Sequence, residues 1–272
     1  MPKAPKYGVG HSPEELERLK AQGTLLADLN RFYFAEAGIK PGMRVLDVGS
    51  GAGDVAMLVA QMVGPTGSVL GTDREDPALN TARTRVKDAG LKNVEFIKGD
   101  PSEMTFDQPF DAVVGRLVLM YYPNATETIQ KLTAHLKPGG IIGFLEPDYS
   151  NCRTYPQLPL FMRCAQLIEQ ALRTLGADPF VGLKLPKVFL DAGLKRPNVR
   201  CMSFNGTYVD AGPIFVFAQT LKTVMPVLEK IGATNAAEMQ LDTLAQRMID
   251  EAAATHGVVV GPALTFTWAL KE

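Results

Sequence analysis

Val45-Leu46-Asp47-Val48-Gly49-Ser50-Gly51-Ala52-Gly53 is the stretch that decides the fold. Its first four residues form a short apolar run carrying one carboxylate, which reads as a buried strand. Gly49, Gly51 and Gly53 follow as GxGxG. Glycines let the main chain turn sharply and approach a ligand closely, because no Cβ intervenes. Asp54 to Val63 then takes helical spacing, so strand, glycine turn and helix together read as a nucleotide-binding turn. The dinucleotide form of that turn, GxGxxG, needs a third glycine at position 54, where Asp54 stands. A carboxylate at a helix N-terminus also opposes a pyrophosphate. A ligand without phosphate is expected, although a lone GxGxG is a weak signal.

The flanking sequence strengthens it. Gly64-Pro65-Thr66-Gly67 turns the chain into a second strand, Ser68 to Thr72, that ends at Asp73, 20 residues after Gly53. An acid in that position can accept hydrogen bonds from both hydroxyls of a ribose. Pro77 to Ala89 reads as a helix closed by Gly90, and Val94 to Lys98 as a strand ending at Gly99-Asp100. Asp100 is placed to accept from an adenine amino group. Each carboxylate alone also fits a strand-end or helix-capping role. Their joint placement at the carboxyl ends of consecutive strands is where open α/β sheets bind ligands.

The alternation continues through a strand at Phe110–Gly115, a helix at Thr126–Leu136, a turn at Pro138-Gly139-Gly140 and a strand at Ile141–Glu146. Leu185 to Ala192 reads as a helix and Val199 to Phe204 as a strand. Strands separated by helices imply βαβ units, hence an α/β protein with a mainly parallel sheet and helices on both faces. Upstream, Ser12, Pro13 and Glu15 make a capping box for a helix running to Ala37 and stopped by Gly38. Leu264, Phe266, Trp268 and Leu270 alternate with small or hydroxyl residues, so Pro262 to Leu270 reads as a last strand. One helical face each is kept by Leu160, Cys164, Leu167, Ile168 and Ala171, and by Leu241, Leu244, Met248 and Ala252.

The 272 residues are 46% hydrophobic and 21% charged, with a formal net charge of −1. That composition belongs to an ordinary globular chain and argues against a broad electrostatic grip on nucleic acid or an anionic membrane. No run of apolar residues is long enough to span a bilayer, and the basic start Met1 to Lys6 lacks the apolar core of a signal peptide. Cys152, Cys164 and Cys201 are widely spaced without a CxxC pair, so a cytoplasmic, disulfide-free protein without a metal site is expected.

Val45 to Gly53 resembles motif I of the class I S-adenosylmethionine-dependent methyltransferases. Asp73 matches that family's ribose ligand, Gly99-Asp100 its adenine-side motif, and Phe110 to Arg116 and Leu136 to Gly140 its fourth-strand motif and the turn before strand five. The likeness covers residues 7–205 and is nearest to the bacterial small-molecule branch that includes ubiquinone, menaquinone and natural-product methyltransferases. It implies a Rossmann-like, seven-stranded, mostly parallel sheet of order 3-2-1-4-5-7-6, its last strand antiparallel, and S-adenosylmethionine as cofactor. Gly49, Ser50 and Gly51 would lie along the methionine and adenosine. Asp47 would hold the loop and favour the cofactor's positive end. Asp73 and Arg74 would flank ribose and adenine, with Asp100 and Pro101 at the adenine rim. Arg116 would lend its backbone near the amino group, its side chain being either a site residue or a surface or structural one.

In that topology the segments Tyr149 to Gly182 and Asn205 to Gly261 leave from the edge where the cofactor lies. The expected organisation is an N-terminal helical segment (1–40), a cofactor-binding core (41–150), a helical lid insertion (151–184), more core (185–205), a second lid insertion (206–257) and the final strand (258–272). Apolar residues such as Phe161, Phe215 and Phe217 make a small, largely apolar acceptor the expected substrate, or else simply pack the lid. His11, Glu146 and Tyr149 are the candidate general bases, beside the alternative that positioning alone suffices. Methylation at O, N or C by a monomer or homodimer is the leading reading; a catalytically silent S-adenosylmethionine-binding partner or sensor is the alternative.

Overall fold

The computed structural model describes residues 26–272. The expected capping box at Ser12 to Glu15, and with it Tyr7 and His11, lies outside the described residues. The chain divides into two compact units. The core unit comprises the described part of His11–Glu146 together with Lys184–Arg200 and Thr265–Glu272; the insertion unit comprises Pro147–Leu183 and Cys201–Leu264.

The core unit begins with helix α1 (26–37), closed by Gly38 at φ +100°. Strands β1 (Arg44–Val48), β2 (Ser68–Asp73), β3 (Val94–Lys98) and β4 (Phe110–Arg116) alternate with helices α2 (Asp54–Val63) and α3 (Asp76–Asp88). Helix α4 (Ala125–Ala134) leads into β5 (Leu136–Asp148). The pairs β1–β2, β2–β3, β1–β4 and β4–β5 are all parallel. Val45, Leu46, Val48, Ala112 and Val113 have no exposure, as central parallel strands covered on both faces require. Helix α2 buries Val55, Ala56, Val59, Ala60 and Val63, and α3 buries Ala78, Leu79, Ala82 and Val86, each a stripe at helical spacing.

The sheet of the described residues has eight strands in the order β3-β2-β1-β4-β5-β8-β6, with β7 (Asn198–Thr207) also on β8 (Val258–Leu270). The expected order therefore holds, with one short strand added, β6 (Arg153–Tyr155). Gly139 N donates to Lys271 O and Lys271 N to Gly140 O, each at 2.8 Å, while a Cβ on Gly143 would meet Phe266 and Trp268. Rising residue numbers in β5 thus face falling ones in β8, and the last strand is antiparallel. Tyr33 stacks on Phe266 at 5.2 Å and Phe34 meets it edge-on at 5.8 Å, which docks α1 on that strand.

Several boundaries differ from the sequence reading, among them the helix at Val181–Asp191, where 185–192 is expected, and β7, which runs Asn198–Thr207 where 199–204 is expected. The expected turn at Pro138-Gly139-Gly140 lies inside β5: Phe110 pairs with Leu136 and Ala112 with Ile141, so the extra residues bulge, with Gly139 at φ +73°. The expected helix to Leu136 consequently stops at Ala134. The last strand starts at Val258 rather than Pro262, because Gly261-Pro262, a turn signal by composition, is absorbed within a long strand.

The insertion unit holds α5 (Pro159–Thr174), α7 (Gly212–Lys230), the short α8 (Ala236–Met239) and α9 (Leu244–Thr255). Between α5 and β7 the chain forms α6 (Val181–Asp191). Helix α5 packs on α7 and α9, and Phe161 stacks on Phe217 at 4.5 Å. Strand β6 pairs antiparallel with the first residues of β8, Arg153 with Val260 and Tyr155 with Val258. Leu158 caps the start of α5 but offers no capping oxygen; Glu251 of α9 supplies it, accepting from Leu160 N at 3.0 Å and Phe161 N at 3.4 Å. Replacing Glu251 with alanine is expected to cost about 1 kcal/mol, the usual value of a helix cap. Urea unfolding followed by circular dichroism checks it, and an unmoved midpoint would refute the capping role. No described helix is long and apolar enough to cross a membrane.

Candidate functional site

The glycine turn is built on the carboxyl end of β1 and tied to β2. Ser50 N donates to Thr72 O at 2.8 Å, and the hydroxyls of Ser50 and Thr72 both donate to Asp47 O at 3.2 Å. Gly49 sits at φ +67°, and a Cβ there would fall 2.3 Å from Val118 Cγ2, so both backbone and space demand glycine. Gly51, at φ +52°, has nothing within 4 Å of its Cβ direction. The turn is therefore packed from below at Gly49 and open at Gly51, the arrangement a ligand resting on backbone requires.

Asp73, half-buried at the end of β2, closes onto this turn. Its Oδ2 accepts from Gly51 N at 2.9 Å and its Oδ1 from Glu75 N at 3.0 Å. One lone pair on each oxygen is left for a further donor. At the end of β3, Asp100 is more heavily engaged. Its Oδ1 accepts from Ser102 N at 3.0 Å, Ser102 Oγ at 2.8 Å and Tyr122 Oη at 2.8 Å, while Oδ2 takes an ion pair from Arg74. Burial alone would raise the pKa of Asp100, but the Arg74, Ser102 and Tyr122 hydrogen bonds outweigh it and hold the carboxyl below its ordinary range. Arg74 also lies over the Tyr122 ring at 4.9 Å. Any donor from a ligand must use the remaining capacity of Oδ2. Pro101, buried, opens the 3-10 turn that follows, and its carbonyl meets His135 Nε2 at 2.9 Å. Tyr122 had no signal in the sequence: nothing in Tyr121-Tyr122 distinguishes a ring aimed at Asp100 from a core aromatic.

Deeper in the site stand two charged groups with buried atoms left over. Asp47 is 1% exposed and its Oδ2 has no hydrogen-bond partner. Burial, with the Asp73 carboxylate adding to it and Ser50 and Arg116 opposing, raises the pKa of Asp47 to about 7. Arg116, at the end of β4, has a side chain only 9% exposed, and its Nη1 is likewise unpartnered, while its Nη2 faces Asp54 Oδ2 at 3.7 Å. Arg116 is thus an interior residue, not a surface one. Burial lowers its pKa, against the pull of Asp54 and Asp47. Asp54 also receives Arg85 at 2.7 Å. An orphaned carboxylate oxygen and an orphaned guanidinium N–H in one buried cluster are costly unless something completes them. They fit a ligand carrying an ammonium and a carboxylate, the amino-acid end of S-adenosylmethionine.

The candidate bases are placed differently. Glu146 is fully buried in the core unit, and its carboxylate accepts from Val118 N at 2.9 Å, Leu119 N at 2.8 Å and Met120 N at 3.4 Å. Burial raises its pKa to about 7 in spite of those three amides. Its oxygens are committed to the chain after β4. Tyr149 belongs to the insertion unit, where its ring lies 6.4 Å from that of Phe217 and its N–H donates to Pro179 O at 3.0 Å. The structure thus brings Asp47, Gly49, Ser50, Gly51 and Asp73 together around the turn, sets Arg74, Asp100 and Pro101 beside them with Tyr122, and leaves Glu146 and Tyr149 on separate duties.

A family model described as a methyltransferase domain matches residues 39–177. A demethylmenaquinone methyltransferase of Bacillus cytotoxicus is 32% identical over 179 residues, 61% of this chain and 76% of that protein. A ubiquinone/menaquinone biosynthesis C-methyltransferase of Pseudomonas putida is 37% identical over 118 residues, 43% of this chain, and the match spans only 46% of its length. Among solved structures, a Bacillus halodurans protein aligns with a TM-score of 0.59 at 18% identity, covering 89% of this chain and 98% of that one, which is a likeness of fold.

Proposed function

This chain belongs to the class I S-adenosylmethionine-dependent methyltransferases, and from that premise we propose that it methylates a small, largely apolar, quinone-like acceptor at a ring carbon. The observation that carries the cofactor assignment is the unpartnered pair, Asp47 Oδ2 and Arg116 Nη1, beside a glycine turn whose open position at Gly51 adjoins Asp73. When bound, the cofactor supplies an electrophilic methyl group on a sulfonium. Asp73 takes the ribose hydroxyls, Asp47 the ammonium, Arg116 the carboxylate, and Arg74, Asp100 and Pro101 the adenine rim. The acceptor class is supported by two relatives, one named for the methylation of demethylmenaquinone and the other for C-methylation in ubiquinone and menaquinone biosynthesis.

The transfer breaks the S–CH3 bond and forms a C–CH3 bond, the ring proton leaving to solvent as the ring regains aromaticity. The in-line displacement itself asks mainly for alignment and exclusion of water, together worth roughly 7–11 kcal/mol of barrier. A fully buried Glu146 that already accepts three backbone amides is poorly suited to take a proton from an acceptor. Of the other two candidate bases, Tyr149 lies in the insertion unit and His11 outside the described residues. The test is incubation with methyl-labelled S-adenosylmethionine and reduced demethylmenaquinone or ubiquinone precursors. Label in the quinol ring is expected. Binding of S-adenosylhomocysteine without transfer to any quinol would sink the acceptor assignment, and absence of that binding would sink the cofactor assignment as well.

A further inference from the structure

We propose that residues 117–122 form a strap that seats the glycine turn, and that Glu146 is the positioning residue that holds this strap in place. The inference rests on the methyltransferase reading of the turn.

The strap begins where β4 ends. Leu117 takes φ +54° and donates its N–H to Leu145 O at 2.9 Å, which swings the chain off the sheet edge. The next three amides have no strand to pair with, and all three point at one carboxylate: Val118 and Leu119 N at 2.9 and 2.8 Å from Glu146 Oε1, Met120 N at 3.4 Å from Oε2. Buried main-chain N–H groups must find an acceptor. A single side chain supplying it to three successive residues fixes their path. At its far end the strap is fastened again, by Tyr122 Oη donating to Asp100 Oδ1 at 2.8 Å.

Between these two anchors the strap bears on the turn. Val118 fills a notch left by two glycines: a Cβ on Gly49 would lie 2.3 Å from its Cγ2, and one on Gly115 2.9 Å from its Cγ1. Absence of both Cβ atoms is what lets Val118 reach the floor of the turn, so a displaced strap displaces Gly49. Its two ends adjoin different parts of the cofactor site, Gly49 on one side and the Asp100–Arg74 pair on the other, while the Asp73–Gly51 hydrogen bond involves neither. A carboxylate that merely satisfied stray amides would not have these two contacts downstream of it.

Glu146→Gln keeps the shape but offers one acceptor oxygen and sets an amide NH₂ among backbone donors. Calorimetric titration with S-adenosylhomocysteine, combined with hydrogen exchange over peptides covering 47–53, 72–76 and 117–122, tests the proposal. The expected result for Glu146→Gln is affinity weakened about tenfold, near 1.4 kcal/mol, with exchange accelerated in both 117–122 and 47–53 but not in 72–76. Glu146→Asp, which keeps the charge, is expected to lie nearer the native protein. Affinity within twofold of native, or faster exchange confined to 117–120, would overturn it. Should Glu146→Gln fail to fold, Val118→Ala isolates the transmission step: it leaves the three amide contacts alone, is expected to weaken binding comparably, and unchanged affinity there overturns the proposal. Failure of the native chain to bind S-adenosylhomocysteine would instead refute the cofactor reading, and the exchange comparison would still decide whether Glu146 holds the strap on the turn.

Discussion

Replacing Asp73 with alanine is expected to weaken S-adenosylhomocysteine binding at least about a hundredfold, close to 2.7 kcal/mol. Two losses combine. The assigned pair of ribose hydroxyls gives up charge-assisted hydrogen bonds, each worth about 1.5–3 kcal/mol when a charged acceptor is involved. The turn itself also loses an anchor, because Gly51 N donates to Asp73 Oδ2 at 2.9 Å. Asp73→Asn keeps one acceptor oxygen and is expected to retain part of the affinity. The fold is expected to survive both changes, since Asp73 is only half-buried and its protein partners are the amides of Gly51 and Glu75. Calorimetry on the folded variants decides: an alanine variant that binds as the native chain does would remove Asp73 from the site and with it the ribose assignment.

The core of this fold was legible because its signals are local. Val45 to Val48 and Phe110 to Gly115 are apolar runs bounded by turn residues, and central parallel strands leave such runs without alternation. Asp73 and Asp100 were legible for a related reason: a parallel strand ending in an acid places it at the ligand edge, whatever the intervening helices do. Helix α7 was not legible. Its buried residues Ile214, Phe217, Leu221, Val224 and Leu228 share the helix with exposed Phe215 and Val216, and Pro213 and Pro226 interrupt the period, so no single apolar face stands out in the sequence.

Side-chain partnerships in the site were beyond sequence reasoning because they join residues far apart in the chain. Tyr122 reaching Asp100, Arg85 reaching Asp54, and Val118 seated on Gly49 each depend on how two βαβ units lie against each other, which no spacing records. Glu146 shows the other difficulty. An acid at the end of a strand on the ligand edge is a candidate base by position alone. Only the three amides converging on it reveal an acceptor already used.

Asp47→Asn is expected to cost about thirtyfold in S-adenosylhomocysteine affinity at pH 7.5, near 2 kcal/mol, and to flatten the pH dependence of binding. Burial raises Asp47 from 3.8 to about 7, so near neutrality the free protein holds a proton there that an ionised carboxylate partner for an ammonium must release. Affinity of the native chain should therefore rise as pH increases from 5.5 toward 7.5 and level off above, with proton release visible as a dependence of the binding enthalpy on buffer. Stability of the unliganded chain should move the opposite way. Asp47, and Glu146 raised from 4.5 to about 7, bind protons in the folded state that the unfolded chain has already lost. Their stabilisation is complete below their ordinary values and drains away as pH climbs through about 7. The asparagine variant, neutral throughout, loses the Asp47 share of both trends. A native affinity independent of pH between 5.5 and 7.5 would mean that Asp47 does not meet the ammonium, and that its orphaned oxygen serves the turn alone.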